Sequence, residues 1–167
     1  EFEPLPDVVP LEWIKDGAIG AVKEVHAWSG EPRSVTNPGP GEGPTVRPAG
    51  LNWDLWLGPR VERPYSGKLA PFVWRWVWDF GNGTMPDMAP HHFDPAFNAL
   101  GLDAPVTMKA TASFVDPRVT TGSNLVTYQY GARGDRGPLT LFWYDNGLRP
   151  PTPLGIDPDD PRFKIME

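Results

Sequence analysis

The chain has 167 residues, no cysteine and a formal net charge of −6 at pH 7. This length suits one domain with a hydrophobic core of its own, and the absence of cysteine excludes a disulfide framework, a thiolate metal site and a cysteine nucleophile. The acidic balance, without a run of lysine and arginine, argues against nucleic acid as a partner, and no apolar run is long enough to cross a bilayer. The missing cysteines and the lack of a visible signal peptide favour a cytoplasmic location without establishing one.

Aromatic residues indicate that the chain folds despite its many glycines and prolines. It holds 18 glycines and 22 prolines, a content close to that of disordered proteins. Eight tryptophans and eight phenylalanines oppose disorder, because disordered segments are poor in aromatic residues. The composition therefore predicts a folded domain that is rich in loops.

The first half of the chain is predicted to contain short elements separated by loops. Residues 1–10 are acidic and proline-rich and form a loose N-terminal segment. The expected elements after it are a helix over 11–16 closed by Gly17, a strand over 22–28, and a short helix that begins near Leu51 and ends at Gly58. Residues 30–50 form a long loop, a feature that is often functional in compact domains.

The stretch from Phe72 to Leu100 carries most of the candidate chemistry. It is predicted to be an aromatic strand over 72–80, a glycine turn and a helix over 87–100. Pro90 falls in the first turn of that helix, where its missing N–H costs nothing, and Pro95 lies deeper and is expected to kink it. Titratable side chains are thus expected at the start of a helix that lies beside an apolar strand, an arrangement common in small-molecule sites.

Strands dominate the remainder of the chain. Residues 106–114 alternate between apolar and polar side chains, which predicts a strand in a sheet with one wet or partner-facing side. Residues 125–130 and 139–144 flank a glycine-rich turn and predict a hairpin. A proline- and aspartate-rich tail over 150–167, which we expect to be truncated, follows. The elements together predict an α+β fold, with an open-faced, mainly antiparallel β-sheet and a few helices on one side.

Asp87 and His91 are four residues apart, so a helix places them on one face, one turn apart. Asp94 follows three residues later on nearly the same face. A carboxylate that holds an imidazole in one tautomer makes a good general base near neutral pH. The alternative is structural, with Asp87 as the helix N-cap and His91 as a surface histidine. The spacing alone leaves both interpretations open.

Neither a metal site nor a nucleotide loop is predicted. The adjacent histidines His91 and His92 point about 100° apart on a helix, so both rarely reach one ion, and no established ligand spacing is present. The turn over 81–83 is similar to part of a dinucleotide-binding loop, but Pro86 replaces the third glycine and no βαβ unit surrounds it. We therefore expect no metal and no cofactor in this chain.

Trp74 and Arg75 are the aromatic and cationic candidates of the predicted strand. Trp74, Trp76 and Trp78 alternate, so a strand would direct all three to one side, where they would pack in a core or interface or form a platform for a sugar ring. Arg75 would point to the opposite side and bind a carboxylate or hydroxyl groups, or form a structural ion pair. Both residues therefore keep a functional and a structural interpretation.

Four segments give the chain a family resemblance. In chain order they are LEWIKDGAIGAVKEVHAW, LNWDLWLGP, WRWVWDFGNG and DMAPHHFDPAFNALGL. Over residues 11–161 the chain resembles the C-terminal half of Gfo/Idh/MocA-type oxidoreductases, most closely the bacterial branch rich in sugar and polyol dehydrogenases. The resemblance implies that a separate Rossmann domain, with its glycine fingerprint and E-K-P lysine, binds NAD or NADP, and that the present chain supplies the open-faced sheet and the substrate pocket.

The resemblance also implies roles for individual residues. Asp87 and His91 match the D-x-x-x-H pair of the family, in which the histidine serves as acid and base toward the substrate hydroxyl and the aspartate lies near the substrate and the base. Asp94 matches a further acidic position. The expected substrate-binding residues are Arg75, Asp94, Trp74 and His92.

We therefore expect residues 11–149 to be the substrate-binding domain of an NAD(P)-dependent sugar or polyol dehydrogenase, inactive alone because the cofactor domain is absent. In the intact enzyme His91 would take the hydroxyl proton as hydride leaves the same carbon for nicotinamide. A sugar or polyol is the expected partner, and homo-oligomers are expected to form through the sheet. The alternative is a noncatalytic carbohydrate-binding or self-association module that uses the same sheet.

Overall fold

The computed structural model describes residues 8–30, 46–155 and 157. Its elements, in chain order, are helix α1 (Val8–Lys15), strand β1 (Glu24–Trp28), helix α2 (Trp53–Leu57), a 3₁₀ helix (Val73–Trp76), helix α3 (Thr84–Leu100) and strands β2 (Thr107–Ala112), β3 (Asn124–Tyr130) and β4 (Leu139–Tyr144). None of the helices in these residues is both long and apolar enough to cross a membrane.

Both ends of the chain and the long loop are only partly described. Helix α1 begins at Val8, so residues 8–10 are helical and not loose as predicted. The rest of the predicted N-terminal segment lies outside the described residues. So do residues 31–45 of the predicted long loop, and residues 156 and 158–167 of the predicted tail.

The four strands form one open sheet in the order β1-β4-β3-β2. β1 runs parallel to β4, whereas the β4–β3 and β3–β2 pairs are antiparallel. Parallel neighbours need a long connection, and here that connection contains α2, α3, β2 and β3. The prediction of an α+β fold with an open, mainly antiparallel sheet is therefore confirmed.

One face of the sheet packs against α3 and forms the main core. Residues directly opposite each other on neighbouring strands share a face, and Ala27, Trp143 and Val126 form one such row. Phe93 of α3 meets Trp143 edge-on, with 5.5 Å between the ring centroids. The buried residues of this core are Ala27, Ala89, Val126, Tyr128, Tyr130, Leu139, Leu141 and Trp143. This inner face of the sheet thus fixes α3 over β3 and β4.

Strand β2 forms an edge of the sheet and is exposed on both faces. Its register places Met108 opposite Tyr128 and Ala110 opposite Val126, so its apolar residues share the inner face, as the alternation predicted. The described residues do not cover them, and Met108 remains 65% exposed. The prediction of a single open side is therefore wrong for this strand.

The segment over 72–80 is not a strand, so that prediction is wrong. A 3₁₀ helix occupies its centre, and beyond that helix Val77 forms an isolated bridge to Val119. Alternating aromatic residues favour a strand locally, but here they lie in different surroundings. Trp76 is 3% exposed, whereas Trp78 is 44% exposed. The tryptophans of this segment therefore do not share one face.

Helix α3 begins at Thr84, three residues before the predicted start at Asp87. Its N-cap is Gly83, which has a φ of 90° that suits glycine. Asp87 is therefore not the N-cap, which corrects the structural interpretation of that residue. Pro90 lies in the helix interior and not in the first turn, so its missing N–H removes a bond to the carbonyl four residues earlier.

The loop before β3 supports the 3₁₀ segment and contains an Asp116–Arg118 ion pair. The backbone N–H of Arg118 donates to the Asp116 carboxylate over 2.8 Å, and its guanidinium donates over 3.1 and 3.0 Å. These bonds lower the pKa of Asp116 to about 2. The same loop accepts hydrogen bonds from Trp78, and Thr120 donates its N–H to the carbonyl of Trp76 over 2.8 Å.

We expect Asp116→Asn to lower the stability of the chain at neutral pH and to have no effect in strong acid. The folded-state pKa of about 2 lies below the ordinary value of 3.8. The ionised carboxylate therefore stabilises the fold above about pH 4, and this contribution is lost as the pH falls through about 2. Urea unfolding of the parent chain and of Asp116→Asn, at neutral pH and in strong acid, measures the difference in their stability. A gap of the same size at both ends would contradict the prediction.

Candidate active site

The candidate site lies where the glycine turn over 81–83 enters α3. The 3₁₀ helix contributes Arg75, and the first turn of α3 contributes Asp87. The Nε atom of Arg75 lies 3.3 Å from Oδ2 of Asp87, so the two side chains form an ion pair. Asp87 also lies at the positive end of the helix dipole, where a carboxylate is favoured.

Gly81 allows the chain to fold back against Arg75. The N–H of Gly81 donates to the carbonyl of Val77 over 2.8 Å, and the N–H of Gly83 donates to the carbonyl of Arg75 over 2.8 Å. A Cβ atom on Gly81 would lie only 2.4 Å from the carbonyl oxygen of Arg75. The turn therefore brings α3 and the 3₁₀ helix close enough for Arg75 to reach Asp87.

We expect Gly81→Ala to displace Arg75 and to destabilise the chain by about 1–3 kcal/mol, the usual cost of overpacking. The added methyl group meets backbone atoms, which cannot move aside as the end of a flexible side chain can. Gly137→Ala is the matched control, because no described atom lies within 4 Å of its Cβ position. Urea unfolding compares the two variants. Equal stabilities would show that the turn tolerates a side chain.

Aromatic rings flank Arg75 beside a small polar cavity. The guanidinium lies 4.6 Å from the ring centroid of Trp74 and 4.7 Å from that of Phe72, distances at which cation–π attraction operates. The prediction that Arg75 and Trp74 point to opposite sides is therefore wrong, because it assumed a strand. The cavity has a volume of about 170 Å³, and Trp74, Arg75, Phe80, Asn82 and Asp87 are among the residues that line it. Phe80 and Asn82 line this cavity but are not among the site residues expected from the sequence.

His91 lies one turn after Asp87 and is exposed. Helical spacing places both on the side of α3 that faces away from the sheet. Among the described residues, no hydrogen bond or ion pair joins Asp87 to His91, and Asp87 is paired with Arg75. Asp87 therefore does not hold the His91 imidazole in one tautomer in this structure. The first turns of α3 therefore bring an ion-paired carboxylate and an exposed imidazole to one surface.

The structure separates His92 and Asp94 from this pair. The ring of His92 lies against Trp143, with 5.8 Å between centroids. Partial burial and the neighbouring His91 lower the pKa of His92. Asp94 lines a different, larger cavity of about 460 Å³, which is mostly apolar and includes Phe93 and Phe97. The predicted residues that the fold brings together are thus Trp74, Arg75 and Asp87.

The described residues do not form a metal site or a cradle for a dinucleotide. They contain no group of histidine and carboxylate side chains that could hold a metal ion. The amides of Gly81 and Gly83 already donate to backbone carbonyls, and the carboxylate of Asp87 would repel a phosphate at the start of α3. This glycine turn therefore does not fit the phosphates of NAD or NADP.

Comparison with known families agrees with the architecture. A model of the Gfo/Idh/MocA type, described as the oxidoreductase family C-terminal alpha/beta domain, matches residues 28–135, which is more than half of the chain. No curated protein has significant sequence similarity to the chain. The match covers the 3₁₀ helix, the glycine turn and the whole of α3. The chain therefore belongs to the Gfo/Idh/MocA oxidoreductase family and carries its C-terminal alpha/beta domain.

Proposed function

We propose that this chain is the substrate-binding domain of an NAD(P)-dependent dehydrogenase that acts on a sugar or polyol, and that a separate domain binds the cofactor. One observation carries the proposal: the Arg75–Asp87 pair lies beside Trp74 in a polar cavity, at the start of the helix that also carries His91. Family membership supports the oxidoreductase part of the proposal.

The composition of the pair favours an uncharged, polyhydroxylated substrate. A guanidinium offers only hydrogen-bond donors and a carboxylate only acceptors, so neighbouring hydroxyl groups can both donate and accept at one place. The two charges cancel within 3.3 Å, which gives an anionic substrate little net attraction. The Trp74 ring adds an apolar surface of the kind that packs against the C–H face of a sugar.

His91 is the proposed acid and base. Its imidazole is exposed, and histidine changes charge closer to neutral pH than any other side chain. On oxidation it would accept the proton of the substrate hydroxyl, and on reduction it would return that proton. Asp87, paired with Arg75, would orient the hydroxyl group that reacts.

The experiment is to clone the reading frame upstream of this segment and assay the encoded protein. We expect a glycine-rich Rossmann segment and NAD(P)-linked turnover on a panel of sugars and polyols, with none on matched simple alcohols. The 167-residue chain alone should show no change in tryptophan fluorescence on addition of NAD or NADP. An open reading frame that begins directly before this segment would favour a noncatalytic carbohydrate-binding or self-association module.

We also propose that the chain forms homo-oligomers through the sheet face opposite α3. His26 and Phe142 stack on this face with 4.8 Å between ring centroids, and the Tyr144 hydroxyl lies 3.0 Å from Nδ1 of His26. Flat aromatic surfaces that retain polar atoms are typical of protein interfaces. Sedimentation equilibrium should give a dimer or larger assembly that Phe142→Asp dissociates. A monomer at the highest soluble concentration would contradict this.

A further inference from the structure

A fully buried carboxylate lies at the end of β4, outside the candidate site. Asp145 is 0% exposed. The hydrogen bonds that reach it from the described residues come from N–H donors: the indole of Trp143 over 2.9 Å, the backbone and side-chain amides of Asn124, and the side-chain amide of Asn146 over 3.0 Å. Burial raises the pKa of Asp145, while these donors oppose that rise. Surroundings made of donors suit an ionised carboxylate, because a protonated acid would turn its own hydrogen toward one of them.

The hydrogen bonds continue from Asp145 to the start of α3 in a fixed direction. The Nδ2 atom of Asn146 donates to Asp145 and to the carbonyl of Gly122 over 2.9 Å, which sets the orientation of that amide. Its Oδ1 atom is then the acceptor for the hydroxyl of Thr84 over 3.1 Å. The Thr84 oxygen in turn accepts the indole N–H of Trp76 over 2.9 Å. The direction of donation is therefore Trp76 to Thr84 to Asn146 to Asp145.

Trp76 and Thr84, the two members of this hydrogen-bond network that lie furthest from Asp145, adjoin the candidate site. Trp76 follows Arg75 in the 3₁₀ helix, and Thr84 is the first residue of α3, three positions before Asp87. The N-cap residue of α3 makes no side-chain capping bond. The hydroxyl of Thr84 therefore connects the start of α3 to the 3₁₀ helix through Trp76, in addition to the Arg75–Asp87 ion pair.

The backbone at Asn146 is adapted to this arrangement. Its φ of 51° lies in the left-handed region, which few residues other than glycine and asparagine adopt. Glycine would fit the backbone but would remove the amide that joins Thr84 to Asp145. Asparagine meets both needs at this position.

We infer that Asp145 is a positioning residue, which acts through Asn146, Thr84 and Trp76 to fix Arg75 and Asp87 against each other. What the positioned pair binds rests on the proposed function, whereas the positioning itself does not. Stability alone does not account for a buried carboxylate, because well-packed apolar residues often stabilise a core as much or more. A network in which every hydrogen bond has a fixed donor and acceptor instead selects a single placement of the 3₁₀ helix relative to α3.

The test measures the Arg75–Asp87 pair directly in the 167-residue chain. The Nε atom of Arg75 lies 3.3 Å from the Asp87 carboxylate, so the hydrogen-exchange rate and nitrogen chemical shift of its N–H group, measured by NMR, report on that contact. Thr84→Val keeps the shape of the side chain and removes the hydroxyl, and Thr84→Ser restores it. Leu139→Ala is the control for general destabilisation, because Leu139 is buried at the other end of β4.

We expect Thr84→Val and Asp145→Asn to speed exchange of the Arg75 Nε–H by roughly tenfold, the effect of losing one buried hydrogen bond, and Thr84→Ser to restore the original rate. Equal acceleration in Leu139→Ala at an equal loss of stability would overturn the inference, as would an unchanged rate in Thr84→Val. If Asp145→Asn does not fold, Trp76→Phe takes the place of that variant in the comparison, because it removes the first donor of the network. Substrate is absent throughout, so failure of the proposed function leaves this result unaffected.

Discussion

His91→Ala, made in the longer dehydrogenase that we propose contains this domain, is expected to lower kcat by about 10²- to 10⁴-fold, the usual contribution of one acid–base group. The affinity for NAD or NADP should stay unchanged, because the described residues offer no cradle for those phosphates. His91 is exposed and packs into no core, so its removal should not disturb the fold. Steady-state kinetics, together with fluorescence titration of the cofactor, measures both quantities.

Asn98→Ala is the matched control for this substitution. Asn98 is exposed on the same helix, seven residues after His91 and therefore on the same side, but further from Arg75 and Asp87. Its kcat should equal that of the parent enzyme. If His91→Ala retains full turnover, the proton is transferred by another group and the proposed role of His91 is wrong. If both variants lose activity, the cause lies in the helix and not in the imidazole.

The features that depend on local periodicity could be predicted from the sequence. Period-two alternation identified strand β2, residue composition and a glycine-rich turn identified the other strands, and the spacing of Asp87 and His91 placed them on one side of a helix. The structure confirms these features because each depends on residues that are close in the chain. The segment around Trp76 shows the limit of this approach. Its alternation is that of a strand, but its tryptophans pack against separate partners, and local sequence does not reveal those partners.

The contact between Arg75 and Asp87 could not be predicted for the same reason. It depends on a glycine turn whose close approach to Arg75 is a tertiary feature. The role of Asp145 is more distant still from local sequence. A carboxylate followed by asparagine and glycine is typical of an exposed turn, yet Asp145 is fully buried, and it accepts hydrogen bonds from Asn124 of β3 as well as from its chain neighbours Trp143 and Asn146. The roles of buried polar and charged residues are thus the ones that a single sequence does not reveal.

Trp143→Ala is expected to destabilise the domain by about 3–5 kcal/mol, the usual cost of removing a buried aromatic side chain. A domain of this kind has a total stability of about 5–15 kcal/mol, so the variant should be partly unfolded at modest urea concentrations. Trp143 is 0% exposed, and its ring contacts Phe93 of α3. Urea unfolding followed by circular dichroism measures the loss. Trp13→Ala is the control, because Trp13 is 59% exposed and should change stability by less than about 0.5 kcal/mol.

A second substitution separates the two roles of Trp143. Trp143→Phe keeps most of the ring that packs against Phe93 but removes the indole N–H that donates to Asp145 over 2.9 Å. A buried acceptor that loses its partner costs about 1–3 kcal/mol, so this variant should lie between the parent and Trp143→Ala. Since the carboxylate network also holds the start of α3, Trp143→Phe should speed exchange of the Arg75 Nε–H beyond its effect on stability. A loss as large as that of Trp143→Ala would mean that the hydrogen bond to Asp145, and not the packing of the ring, dominates the contribution of this tryptophan.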